Sequence, residues 1–161
     1  MTWMKTTRIE NILKQCDVVA ELSKCKRKKF GAIITDNEGV ILSQGYNGSA
    51  RGSLNCGEDI PCIKDLYDAP HYSGYNYCSA VHAEENAIIN AARGGVSVKG
   101  GVLFLGGNSG GRPCQRCART IVNAGLVRIV YKTKAGFTNI PVSVLTKDDI
   151  AWQEKMIAEA D

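Results

Sequence analysis

Two short segments constrain this chain more than anything else in it: His82-Ala83-Glu84 and, well downstream, Pro113-Cys114-Gln115-Arg116-Cys117. Together they read H-x-E…P-C-x-x-C. One imidazole and two thiols are three ligands for a zinc ion, and a tetrahedral ion then keeps one position open to water. Any fold must therefore bring residue 82 against residues 114 and 117. Helical sequence follows each segment, so the ligands sit at the openings of two helices. Cysteines three apart on a helix share a face, and both sulfurs reach one metal. Helix N-termini also favour the negative charge of thiolates and hydroxide.

Glu84 lies beside the metal ligands without being needed as one. It is placed to move protons, and this division of labour is the signature of zinc-dependent nucleobase deamination. Neutral water attacks such a ring poorly, and zinc lowers the pKa of water towards ~7. Glu84 then takes a proton from the water, delivers it to the ring nitrogen and protonates the leaving ammonia. The plainer reading makes His82 a structural histidine, Glu84 a helix-terminal carboxylate and the cysteines half of a zinc ribbon. A ribbon needs a second Cys-x-x-Cys or a spaced His pair, and the sequence has neither.

The 161 residues suit a single domain spanning 1–161, long enough to bury a core. No apolar run reaches membrane-spanning length, and the N-terminus lacks the apolar stretch of a signal peptide. A cytoplasmic protein with no membrane partner is expected. Seven cysteines, an odd number, read in a reducing compartment as metal ligands and free thiols. A net charge of +4 is too mild to demand a nucleic-acid partner. Lys24, Lys26, Arg27, Lys28 and Lys29 nevertheless crowd around Cys25. They form either a solvated turn or a phosphate contact.

Residues 8–23 carry a 3.6-period apolar stripe, and Thr7 with Glu10 reads as a capping box at its start. Phe30 to Thr35 reads as a strand, Asp36 to Gly39 as a turn, and Val40 to Tyr46 as the antiparallel partner. Residues 47–79 lack periodicity; a loop this long is functional or pinned by something. A helix is expected from Ala83 to Arg93, ended by Gly94-Gly95. Then come a strand over Gly101 to Leu105, a flexible loop over 106–112, and a helix opened by Pro113 and stopped by Gly125. A strand over Leu126 to Tyr131, a last strand near Val142 to Leu145 and a helix over Lys147 to Ala160 complete the pass. Alternating elements of this kind imply a mixed sheet covered on both faces.

The chain resembles the deoxycytidylate (dCMP) deaminase family of the cytidine deaminase superfamily, from about Ser23 to Tyr131. Cys25-Lys26-Arg27-Lys28-Lys29-Phe30-Gly31-Ala32 is similar to the family's C-x-R-R-x-V-G-A. Gly45-Tyr46-Asn47-Gly48-Ser49 matches its G-Y-N-G loop, with Asn55-Cys56 following. His82-Ala83-Glu84-Glu85-Asn86-Ala87-Ile88 matches its H-A-E-x-N-A-I run. Ala91-Ala92-Arg93-Gly94-Gly95-Val96-Ser97 and Ile121-Val122-Asn123-Ala124-Gly125 resemble A-A-R-x-G-V-S and I-I-N-A-G.

The resemblance implies a three-layer α/β/α sandwich with a five-stranded mixed sheet. It implies conversion of dCMP to dUMP and ammonia, with zinc held by His82, Cys114 and Cys117. It implies a homohexamer activated by dCTP and inhibited by dTTP, with Mg2+ accompanying the nucleotide effector. It places Asn47 at the nucleotide and Arg93 at a phosphate or effector. Two plainer roles compete: Asn47 suits a left-handed turn before Gly48, and Arg93 suits a helix C-terminus.

One segment departs from the family pattern. Between strand and P-C-x-x-C the family runs through a short V-T link, whereas Gly106 to Arg112 is longer and rich in glycine. The loop should border the metal and face the base, with Ser109 or Arg112 supplying a contact. Four cysteines remain: Cys25, Cys56, Cys62 and Cys78. Some family members carry a second, structural zinc in this region. Cys25, Cys56 and Cys78 with either Cys62 or His71 would complete a tetrahedral set, which would order the long loop; the alternative is buried free thiols. Two other classes stay open, a nucleic-acid deaminase and a non-catalytic zinc-folded effector-binding protein. The intact Glu84 argues against the second. Another deaminase of the superfamily, acting on a different nucleoside, nucleotide or base, is the nearest alternative to the dCMP assignment.

Overall fold

Val102-Leu103-Phe104-Leu105 is apolar without alternation, the pattern of a strand covered on both faces. In the computed structural model, which describes residues 3–70 and 75–160, it opens strand β5 (Val102–Gly107), and every residue of that strand is buried. β5 pairs antiparallel with β1 (Phe30–Thr35) and parallel with β6 (Arg128–Thr133). β2 (Ile41–Tyr46) and β7 (Gly136–Pro141) close the edges antiparallel, giving the order β2-β1-β5-β6-β7. The five-stranded mixed sheet is as expected.

The two faces of the sheet build separate cores. On one, Ile33, Val102, Phe104 and Val130 meet Ile9, Ile12, Leu13, Cys16 and Val19 of helix α1 (Thr6–Ala20). On the other, Ala32, Ile34, Leu103, Leu105 and Ile129 meet three further helices. Ala83, Ala87 and Ala91 come from α3 (Ala83–Arg93), Ile121 from α4 (Gln115–Asn123) and Leu145 from α5 (Ser143–Ala160). This is the α/β/α sandwich. No helix among the described residues is long and apolar enough to cross a membrane.

Helix α3 lies unusually close to β2. A Cβ on Gly45 would stand 2.3 Å from the Ala87 backbone N and 2.7 Å from the Ala83 carbonyl O, so only glycine admits that approach. Polar bonds then fix the helix along the strand. Ser43 Oγ donates to Ala87 O (2.8 Å), Asn86 Nδ2 to Tyr46 O (2.8 Å) and Asn90 Nδ2 to Gln44 O (2.8 Å). The start of α3, where His82 stands, is thereby set relative to the sheet.

Three expectations are corrected. α1 begins at Thr6 with Lys5 as its N-cap and no side-chain capping bond. Thr7 therefore lies inside the first turn, where its hydroxyl cannot cap. The last strand is β7, not residues 142–145. Val142 and Leu145 are three apart, both enter the core, and Leu145 does so from α5. Strand β7 carries only Phe137 and Ile140 as large apolar residues and ends on Pro141, as an edge strand can. Finally, Gly106 and Gly107 belong to β5, paired with Gly31 and Phe30. The segment beyond them is tied down: Lys29 N donates to Asn108 Oδ1 (2.9 Å), Asn108 N to Lys29 O (3.1 Å) and Gly111 N to Lys132 O (3.0 Å).

The long loop is pinned by polar contacts. β3 (Gly48–Ser49) and β4 (Ala80–Val81) pair antiparallel and join its two ends. Between them lie a single helical turn, α2 (Ile63–Leu66), and a 3-10 turn, Tyr75–Tyr77.

Candidate active site

His82 and Cys114 each occupy the N-cap position of a helix, α3 and α4 respectively. Their carbonyls accept the first helical bonds, from Asn86 N (2.9 Å) and Ala118 N (2.8 Å). The two helix N-termini point at one place. There His82 Nδ1 lies 3.5 Å from Cys114 Sγ and 3.3 Å from Cys117 Sγ, and the three donor atoms all fall within 4.8 Å of one another. Zinc ligands at about 2.0–2.3 Å in a tetrahedron stand roughly 3.5 Å apart. One nitrogen and two sulfurs at this spacing are a zinc donor set.

Charge in the cluster is organised around the same geometry. The Cys117 thiol donates to Cys114, and this bond, with His82 opposite, holds the Cys114 thiol down to about 4. Sharing the proton with Cys114, and burial, push the Cys117 thiol up. The bond to Cys114 raises His82. A coordinated divalent ion replaces this shared proton, since it deprotonates a coordinating thiol outright. Glu84, only 5% exposed, is pushed up to about 7 by burial. It lies in the first turn of α3, so the site offers a carboxyl able to both take and give a proton near neutrality.

One ion pair joins the two ligand helices, and two more tie α4 and the loop before it to α5. Arg116 on α4 meets Glu85 on α3 at 2.8 Å, and Glu85 also accepts from His82 N (3.2 Å). Arg119 meets Asp149 on α5 at 2.9 Å, and Arg112 pairs with Asp148. Each exposed pair contributes ~0–1 kcal/mol, so their consequence is orientation more than stability.

A cavity of about 170 Å³ opens onto the cluster. Its described lining joins His82, Ala83, Glu84 and Cys114 to Asn47, to the apolar Phe30 and Leu105, and to the cations Arg27, Lys28, Lys64 and Arg112. A reactive centre, apolar walls and four cationic side chains thus share one space.

Residues 6–133 match the family described as the cytidine and deoxycytidylate deaminase zinc-binding region. The chain belongs to that family. It is 30% identical to the deoxycytidylate deaminase of Enterobacteria phage T2, over 83% of this chain and 86% of the phage protein. To the human deoxycytidylate deaminase it is 30% identical over 70% of this chain and 57% of that protein. The structure of the cyanophage S-TIM5 dCMP deaminase in complex with dCMP and dUMP aligns at TM-score 0.61 and 33% identity, over 78% and 81% of the two chains. A cytidine deaminase from Burkholderia pseudomallei shares the fold, at TM-score 0.60 and 15% identity over 88% of this chain and 96% of that one.

Within this deaminase-family chain the expected site residues do not all meet. His82, Cys114, Cys117 and Glu84 do. Asn47 reaches the cavity, yet its amide is engaged by backbone: Oδ1 accepts from Phe30 N (2.8 Å) and Nδ2 donates to Lys28 O (2.9 Å). An amide oxygen and nitrogen each keep one further bond to offer. Arg93 is exposed at the far end of α3, roughly 16 Å along the helix from His82, and lies outside the cavity lining. Of the glycine-rich loop, Arg112 lines the cavity and Ser109 does not. Cys25, Cys56, Cys62 and Cys78 surround a neighbouring cavity of about 300 Å³. His71 lies outside the described residues. The basic run divides its duties. Lys24 pairs with Glu58 (3.2 Å) and Arg27 with Asp65 (2.6 Å), while Arg27 and Lys28 line the cavity. The residue missed in the sequence is Lys64, an isolated lysine in an aperiodic loop that carried no signal.

Proposed function

We propose that this chain converts dCMP to dUMP and ammonia, with zinc held by His82, Cys114 and Cys117 and with Glu84 as the proton carrier. The observation that carries the reading is the single cavity in which Glu84 and two of the ligand residues face a rim of four cationic side chains. The dCMP and dUMP bound to the cyanophage relative support it.

A zinc ion, when bound, acts as a Lewis acid that makes water a nucleophile near neutral pH. Glu84 accepts the proton that the attacking water loses and gives it to ring N3. It next takes the remaining hydroxyl proton and delivers it to the departing exocyclic nitrogen, so ammonia leaves and Glu84 ends as it began. Burial keeps bulk water from competing for those protons. Phe30 and Leu105 supply the apolar walls for the base. Asn47 acts mainly by holding residues 28–30 in place, with its remaining amide capacity directed at the nucleotide.

A phosphate dianion gains from charge-assisted contacts with the basic rim. Binding energy at such a remote group also lowers the barrier, so its loss affects turnover as well as binding. We expect kcat/KM for dCMP to exceed that for deoxycytidine by at least ~100-fold, equivalent to just under 3 kcal/mol. Ammonia release measured on both substrates checks this, and equal efficiency overturns the dCMP assignment. We assign Arg93, outside the cavity, to the effector side. With it go activation by dCTP with Mg2+, inhibition by dTTP, and contact between copies in a cytoplasmic homohexamer.

A second, structural zinc is proposed among Cys25, Cys56, Cys62 and Cys78. These four cysteines line one cavity, although among the described residues only His82, Cys114 and Cys117 have donor atoms gathered closely enough for a metal, so zinc would have to draw the four together. Metal analysis is expected to give close to two zincs per chain, and Cys56→Ser to lose one and to melt earlier. One zinc per chain, with Cys56→Ser as stable as wild type, leaves these cysteines as free thiols.

A further inference from the structure

The zinc donor set is split between two helices that the rest of the fold anchors separately. α3 is fixed to β2 through Gly45, Ser43, Asn86 and Asn90. α4 sends Ile121 into the core and is tied to α5 by Arg119–Asp149. Neither set of contacts registers one helix opening against the other, and Glu85–Arg116 does. Glu85 is the third residue of α3, three after His82, and Arg116 stands between Cys114 and Cys117. One oxygen, Glu85 Oε2, accepts from His82 N at 3.2 Å and from Arg116 Nη2 at 2.8 Å. The bridge therefore runs from the residue that carries the imidazole to the turn that carries both thiols. We propose that Glu85 and Arg116 are positioning residues that hold the two ligand helices in register for zinc; the inference rests on the ligand assignment above.

Local physics alone would not choose Arg116. A helix N-terminus carries partial positive charge and disfavours a cation. Arg116 is nevertheless the second residue of α4, whose first turn holds no acid. A residue that breaks a local rule marks a functional position. What offsets the misplaced charge comes from the other helix, in Glu85, and from the ligand thiols Cys114 and Cys117, in whose field Arg116 lies. The Glu85 side chain is only 15% exposed, so one end of the pair is shielded and salt screens it less than a pair exposed at both ends. Contacts that orient metal ligands from outside the coordination sphere matter: their loss typically costs roughly 10- to 100-fold in metal affinity or activity. Glu84 precedes Glu85 in the same turn, so a shift of this helix opening displaces the proton carrier together with the imidazole.

The test follows zinc release from the full-length protein to a chromogenic chelator. It compares wild type, Glu85→Gln, Arg116→Gln, these two combined, and Arg119→Gln. Only the zinc that Cys114→Ser/Cys117→Ser lacks is counted, so metal on other cysteines does not enter. Glutamine at 85 keeps an acceptor for His82 N and removes the charge that holds Arg116. Each of the first two variants is expected to release zinc at least ~5-fold faster than wild type. The combined variant should release it no faster than the quicker single one, because both remove the same interaction. Arg116→Lys, which keeps the charge, should recover part of the retention. Arg119→Gln cuts α4 from α5 but not from α3, and should release zinc at the wild-type rate. At saturating zinc, Glu85→Gln should lower kcat on dCMP and leave KM near wild type. Wild-type retention in Glu85→Gln and Arg116→Gln would overturn the inference. So would additive losses in the combined variant, equally fast release from Arg119→Gln, or a kinetic loss confined to KM, which would place the pair at the substrate. Zinc release needs no substrate, so it decides even for a protein inactive on dCMP. Full zinc in Cys114→Ser/Cys117→Ser removes the ligand assignment, and the inference with it. Zinc lost there but retained in the Glu85 and Arg116 variants removes the inference alone.

Discussion

Glu84→Gln is expected to keep its zinc and to lose about 10²- to 10⁴-fold in turnover, the range that a positioned general acid–base contributes. Glutamine reproduces the size and planarity of the glutamate but cannot accept a proton from water. Glu84 is 5% exposed and packed at the start of α3, so the amide replaces it without room to turn away. The donor atoms of His82, Cys114 and Cys117 are untouched, and the metal should stay at wild-type occupancy. Glutamine fills the same buried space as Glu84, so the exchange costs the fold little. The melting temperature should stay within a few degrees of wild type. Ammonia release and zinc content, measured on the same preparation, check the result. Retained activity at full zinc would remove Glu84 from the mechanism.

The zinc cluster was legible in the sequence because each half of it is local. His82 and Glu84 are set by the opening of one helix, Cys114 and Cys117 by the opening of another; Gly45 only seats the first helix on the sheet, and Glu85–Arg116 joins it to the second. The sandwich was legible for a similar reason. Unbroken burial in Val102 to Leu105 and the alanine stripe of α3 demand cover on both sides of β5. Where packing is weak the sequence misled. β7 shows little apolar periodicity, whereas Val142 and Leu145 look like a strand because two core contacts happen to lie close together.

Glycine is the other source of error. Gly106 and Gly107 extend β5 although nothing in their side chains says strand. Their conformation is decided by partners: β1 pairs with both, and Asp17 accepts from Gly107 N (2.9 Å) while meeting Lys132 at 2.8 Å. Such long-range backbone contacts leave no local trace. Lys64 was invisible on the same grounds. Its inward direction follows from Arg27 gripping Asp65 across the fold, and a lone lysine in an irregular loop reads as solvated. Asn47 was legible as a position at the cavity, but the occupation of its amide by Lys28 and Phe30 backbone was not.

Replacing both thiols, as Cys114→Ser/Cys117→Ser, should remove one zinc per chain and bring deamination below detection. It should also loosen the fold, which Glu84→Gln should not. α3 and α4 direct their N-termini, each with a partial positive charge, at a common point. Thiolates and the ion they hold offset that juxtaposition; serine hydroxyls offer neither the charge nor the affinity. Any ligand bound only to the native state adds stability by mass action, so its loss subtracts it. We expect a loss of ~3 kcal/mol, which for a domain of this size lowers the melting temperature by roughly 6–12 °C. The ion pair Arg116–Glu85 still bridges these helices and Arg119–Asp149 still ties α4 to α5, so the sandwich should persist with its junction weakened. Treating wild type with a strong chelator should lower the melting temperature at least as far, since it also strips zinc from Cys25, Cys56, Cys62 and Cys78, and added zinc should reverse the shift in wild type. Full metal content in the double variant would refute the ligand assignment. An unchanged melting temperature with zinc lost would show that the helix N-termini are held by their packing on the sheet, and that the metal serves the chemistry alone.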